Sequence, residues 1–140
     1  MRPDTLHATL LFLGEVATHR LEALKLAAQE IRTKTFTLCF DEARYWGHNH
    51  IVYAAPSLVP QELLNWVQAL RQHLRHHHFP FETQEYKPHV TLLRNAHWND
   101  SPLPEMSPLH WQVNGFVLVQ SAPHNGEAHY QMLAEFPCRP

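Results

Sequence analysis

Leu6-His7-Ala8-Thr9-Leu10-Leu11 and Pro88-His89-Val90-Thr91-Leu92-Leu93 read almost alike. Each has the form His–apolar–Thr–apolar inside a run patterned as a β-strand. Successive strand side chains alternate faces, so His7 and Thr9 share one surface, as do His89 and Thr91. Ala8, Leu10, Val90 and Leu92 then take the opposite, packed face. Two such strands side by side gather two imidazoles and two hydroxyls around one small volume, a site suited to a phosphate diester. One tetrad alone decides little, because Thr favours strands in its own right. The same pattern twice, 82 residues apart, is what needs explaining.

Around these stretches the chain alternates strand-like and helical patterns. Gly14-Glu15-Val16 makes the exit turn from the first. Thr18 is placed to cap a helix over 20–32, with Leu21, Leu24, Ala28 and Ile31 as its core stripe. Residues 36–40 alternate as a strand with Phe36, Leu38 and Phe40 on one face, and 51–55 read as another, with a turn over 46–50. Pro60 suits the first turn of a second helix, whose buried stripe is Leu63, Leu64, Val67, Leu70 and Leu74. This helix ends near His76-His77-His78. His73 and His77 lie four apart, a spacing that can hold a metal. With no acid or thiolate in a metal pattern nearby in sequence, the run reads as a polar helix end, where imidazolium suits the dipole.

Lys87-Pro88 opens the second motif strand, and proline forces Lys87 to be extended. Residues 95–108 read as a loop, and 110–120 as a strand or bent pair with Gly115 as a bulge. Residues 121–128 read as a polar connection with a His124-Asn125-Gly126 turn, and 130–136 as the last strand. Periodicity alone supports a mixed α+β class.

At 140 residues, with 44% apolar and 17% charged side chains, the chain suits one globular domain over 1–140. A net charge of −2 argues against a basic groove, so an RNA partner would be engaged at an end. No apolar run approaches the length that spans a bilayer, and no signal peptide is recognisable. Cys39 and Cys138 form neither a disulfide framework nor a zinc spacing, and read as free thiols in a reducing cytoplasm.

The paired motifs resemble the 2H phosphoesterase superfamily, and within it the bacterial RNA 2′,3′-cyclic phosphodiesterases, also called 2′-5′ RNA ligases. LHATLLFLGEV over 6–16 is similar to the first-motif segment and PHVTLLR over 88–94 to the second. Phe116-Val117-Leu118-Val119, and Tyr130 leading to Leu133-Ala134, resemble the two closing strands. The likeness runs from Arg2 to about Pro137. It implies a two-lobed, pseudo-symmetric α+β fold, with antiparallel sheets around a central cleft and helices outside. Family members carry a strand and a helix before the first motif, which here arrives at His7. The chain is therefore expected to be N-terminally short, with an apolar sheet edge open, or covered by a neighbour, beside its first motif strand.

The implied chemistry opens a 2′,3′-cyclic phosphate, on an RNA 3′ end or a nucleotide, to a 2′-phosphomonoester, with reversible 2′-5′ ligation as a companion reaction. It needs a base to deprotonate water and an acid to protonate the departing ribose oxygen. Imidazole, with an ordinary pKa of about 6.5, serves either role near neutrality. By resemblance His89 is the base and His7 the acid. Thr9 and Thr91 donate to the nonbridging oxygens as charge builds there. No metal or cofactor is required by this scheme. Arg94, five residues after His89, matches a phosphate-contacting Arg, but reaches His89's face only if a bulge or turn intervenes. Phe12, five after His7, matches an aromatic that lies beside the nucleobase; by its neighbours Leu11 and Leu13 it reads equally as core. Two other classes stay open: a nucleotide-binding module with this pocket but no turnover, and a His-rich metal-binding protein.

Overall fold

The computed structural model describes residues 6–98 and 102–139. The first five residues, where the family likeness begins, and 99–101 of the expected loop lie outside the described residues. Among the described residues there are two α-helices and seven strands, and every strand pairing is antiparallel. β1 (Phe36–Phe40) pairs with β5 (Leu109–Val113), with Phe36 opposite Val113. β2 (Glu42–Trp46), β3 (Ile51–Ala55) and β4 (Val90–Leu93) form a three-stranded sheet in that order. β6 (Gly115–His124) and β7 (Glu127–Pro137) make a long hairpin. This is the expected mixed α+β class with antiparallel sheets.

Alternation explains β1. Phe36, Leu38 and Phe40 point inward and are almost wholly buried, while the Thr37 hydroxyl donates outward to Gln112 Oε1 at 2.9 Å. The Trp66 ring, on α2 (Gln61–His76), meets Phe36 edge-on, with centroids 5.0 Å apart. Leu63, Val113 and Ala54 complete this core, against which Ala8, Leu10, Tyr86 and Val90 pack. A second core joins Leu24 and Ala27 of α1 (Leu21–Gln29) to Leu74 and Phe79, with Leu11 and Leu13 beside it. Neither helix has a side-chain N-cap bond. Such a cap is worth about 1 kcal/mol. Each buried Leu or Trp contributes about 1.5–3 kcal/mol. Packing therefore decides where both helices stand.

Several sequence expectations shift for physical reasons. Thr18 does not cap: residues Thr18–Arg20 form a 3₁₀ turn, and α1 begins only at Leu21. Leu64 is exposed on α2 and Trp66 takes the inward place, because positions 63, 66, 67, 70 and 74 share one face. β2 was not expected; its side chains are mostly half-buried, so no clean alternation marks it. Gly115 opens β6 rather than forming a bulge, and the bulge lies between Leu118 and Val119. The polar stretch after Gln120 is not a connection but the tip of the β6–β7 hairpin. It closes through Asn125 (φ 51°) and Gly126 (φ 79°), the left-handed pair a tight hairpin turn demands. Among the described residues the segment 6–13 belongs to no named strand and bends at Leu10, and one isolated bridge ties it to the rest. Among the described residues no helix is long and apolar enough to cross a membrane.

Candidate active site

That bridge pairs Ala8 with Val90, antiparallel. An antiparallel ladder continued from it would set His7 opposite Thr91 and Thr9 opposite His89, but among the described residues only the single bridge forms. Ala8 and Val90 both pack against the first core. His7 and Thr9 are exposed; His89 and Thr91 are half-buried.

His89 is held on three sides. Its Nδ1 lies 2.9 Å from the Lys87 carbonyl oxygen. A carbonyl only accepts, so Nδ1 carries the hydrogen, and in the neutral ring Nε2 is left with its lone pair. Trp46 stands edge-on to the imidazole at 4.8 Å and Tyr53 at 5.8 Å, and those two rings stack on each other at 3.8 Å. Tyr53 is there because β3 pairs it with Thr91. His7 leans the other way, its ring 4.8 Å from that of Tyr130 on β7.

A hollow of about 470 Å³ opens beside His89, walled by Thr9, Phe12, Trp46, Arg71 and Lys87 among others. His7 and Thr91 do not line it. A second hollow, of about 360 Å³, is lined by Tyr130, His129 and Gln131, on the side toward which His7 leans. Arg71 and Lys87 are offset in the first hollow by Glu82 and Glu85, so it carries no strong field of one sign. Arg71 donates to the Gln84 carbonyl at 2.6 Å, while its buried Nε has no partner among the described residues. Tyr86, in the same wall, is buried enough that its phenol is pushed up to about 12.

Phe12 is 63% exposed in the hollow's wall, which settles against a core position. Its backbone carbonyl accepts from the Glu82 N–H at 2.9 Å. β3 pairs Tyr53 with Thr91 but Val52 with Leu93, so Leu92 bulges and is 36% exposed instead of packing inward. The bulge that Arg94 required is therefore present. Arg94 itself sits in the exposed bend after β4, outside the hollow's lining, with no hydrogen bond or ion pair to another described residue. Sequence reasoning missed Trp46, Tyr53, Arg71 and Tyr130 as site neighbours. Only strand register brings Tyr53 to Thr91, and no local pattern encodes that.

A family model described as the 2′-5′ RNA ligase superfamily matches residues 2–125. The RNA 2′,3′-cyclic phosphodiesterase of Escherichia coli (strain K12) is 32% identical over 130 residues, covering 93% of this chain and 74% of that protein. The crystal structure of E. coli LigT complexed with 3′-AMP superposes with a TM-score of 0.87 at 30% identity, over 98% of this chain and 79% of that one. The apo form of LigT gives a TM-score of 0.89 at 29% identity, over 100% and 80%. The protein TT0787 of Thermus thermophilus gives 0.79 at 26% identity, over 99% and 81%.

Proposed function

The chain belongs to the 2′-5′ RNA ligase superfamily, and from that premise we propose that it is a cytoplasmic phosphodiesterase opening 2′,3′-cyclic phosphates on RNA ends or nucleotides. The observation that supports this reading is the Ala8–Val90 bridge, which brings the two His-x-Thr segments side by side. Water attacks phosphorus as the His89 Nε2 takes its proton. The bond to the ribose 3′ oxygen breaks, and that oxygen leaves with a proton from His7, giving a 2′-phosphomonoester. With an RNA 5′-hydroxyl attacking in place of water, the same groups would form a 2′-5′ linkage.

The Lys87 carbonyl supports His89 as base, because it holds the tautomer whose outer nitrogen can accept. Thr9 and Thr91 stabilise charge on the nonbridging oxygens. Phe12, exposed beside the hollow, offers a flat face for a nucleobase, and Arg94 a long-armed cation for a phosphate. Every acid, base and charge stabiliser in this scheme is a protein group. The 1–140 chain acts as one domain in it.

Phosphorus NMR of a 2′,3′-cyclic nucleotide, incubated with the protein and EDTA, tests this reading. A 2′-phosphomonoester resonance growing at an undiminished rate in chelator is the expected result. Saturable AMP binding with no turnover would instead assign the chain as a nucleotide-binding module. Loss of turnover in EDTA would overturn the metal-free scheme.

A further inference from the structure

Away from the cleft, α1 and α2 bring together three side chains that the linear sequence keeps apart. Glu30 is the C-cap residue of α1, and His73 and His77 lie one turn apart at the end of α2. His73 Nε2 is 2.6 Å from Glu30 Oε2, and His77 Nε2 is 3.7 Å from the same oxygen. No acid stands near these histidines in a metal pattern of the sequence; the fold brings one from 43 residues upstream. The imidazole rings are 5.0 Å apart, and one candidate ligand atom from each of the three residues lies within 4.8 Å of the others. Arg71 of the cleft precedes His73 by two positions, which places them on different sides of the helix.

We propose that Glu30, His73 and His77 form a binding site for a divalent transition-metal ion, with Zn²⁺ as its natural class of ligand. Both histidines present Nε2 to one carboxylate oxygen, the donor set of two imidazoles and one carboxylate that zinc accepts. A tetrahedral ion about 2.0–2.1 Å from each donor wants them roughly 3.3 Å apart. His73 and Glu30 open slightly, and His77 and Glu30 close slightly, to reach it. The His73 hydrogen bond already holds the Glu30 carboxyl below its usual range, ready as an anionic ligand. Side-chain exposures of 31%, 38% and 54% for His73, His77 and Glu30 leave the site open to an entering ion and its remaining water. Arg20, which donates to the His77 and His78 carbonyls at 2.9 and 3.0 Å, and Arg139, which donates to the Gln29 carbonyl at 3.0 Å, are nearby cations that the ion would have to tolerate. The bound ion would tie the end of α1 to the end of α2.

Titration of the full chain with Zn²⁺ against a competing chromophoric chelator tests the proposal. One site per chain is expected, weakened at least tenfold in H73Q, H77Q and E30Q but not in H76Q. On the unaltered protein, long-range imidazole ¹H–¹⁵N spectra should show the Nε2 resonances of His73 and His77 moving together at one equivalent, a readout that needs no variant to fold. Zinc affinity unchanged in the H73Q/H77Q double variant, or no movement at these two nitrogens, overturns it.

Discussion

His7→Ala and His89→Ala should each lower turnover of a 2′,3′-cyclic nucleotide by at least about 10²-fold, since each removes one partner of an acid–base pair. The double variant should add little, because both groups act in one transition state. A substrate with a far better leaving group needs no acid, so it should rescue His7→Ala and leave His89→Ala inactive; the reverse pattern would exchange the two roles. Tyr86 gives a prediction about stability. Burial raises its phenol from about 10 to about 12, so the neutral form is favoured in the folded chain. The unfolded chain ionises first, and stability present below about pH 10 is lost as pH rises toward about 12. Urea midpoints at about pH 9 and about pH 11 should differ less in Tyr86→Phe than in the unaltered protein. At this scale the two His-x-Thr segments could be singled out because their pattern is local, and the Ala8–Val90 bridge brings them side by side. Trp46, Tyr53 and Tyr130 were not, because pairing register and a return from the far end of the chain bring them in.

Among the elements, the β6–β7 hairpin carries a close backbone approach at Gly115. A Cβ on Gly115 would lie 2.6 Å from the Phe136 carbonyl oxygen and 2.9 Å from Pro137 Cα, both main-chain atoms that cannot swing aside. Gly115→Ala should therefore cost about 1–3 kcal/mol, as overpacking does. Gly47→Ala, whose Cβ would meet only the Tyr45 ring at 3.6 Å, is the control expected to cost less in the same urea titration. β1 and β3 were readable to the residue, since inward and outward positions alternate or run apolar without a break. β2 was hidden by half-burial on both faces, and the 3₁₀ turn at Thr18–Arg20 displaced the start of α1 from a sound capping signal. The first motif was read as a strand from its pattern, yet it forms one bridge, because period-2 alternation describes an extended chain whether or not a ladder partner lies alongside.

For the whole molecule, a net charge of −2 and a hollow of mixed sign predict weak dependence on salt. If only one or two phosphates of an RNA end are engaged, log affinity against log salt should have a slope of about −0.7 to −1.4, measured by fluorescence anisotropy of a short oligonucleotide; a much steeper slope would imply a groove. The two-lobed architecture was legible only through the likeness to a family, since no periodicity says which sheet faces which. The joint between the two motifs has its own consequence. One backbone bridge, between segments with exposed side chains, is a place where the chain opens locally without unfolding globally. The Ala8 and Val90 region should therefore trade amide protons for deuterons sooner than β6 or β7. A phosphate gripped by side chains from both segments would act as a removable staple, slowing that exchange in proportion to its occupancy.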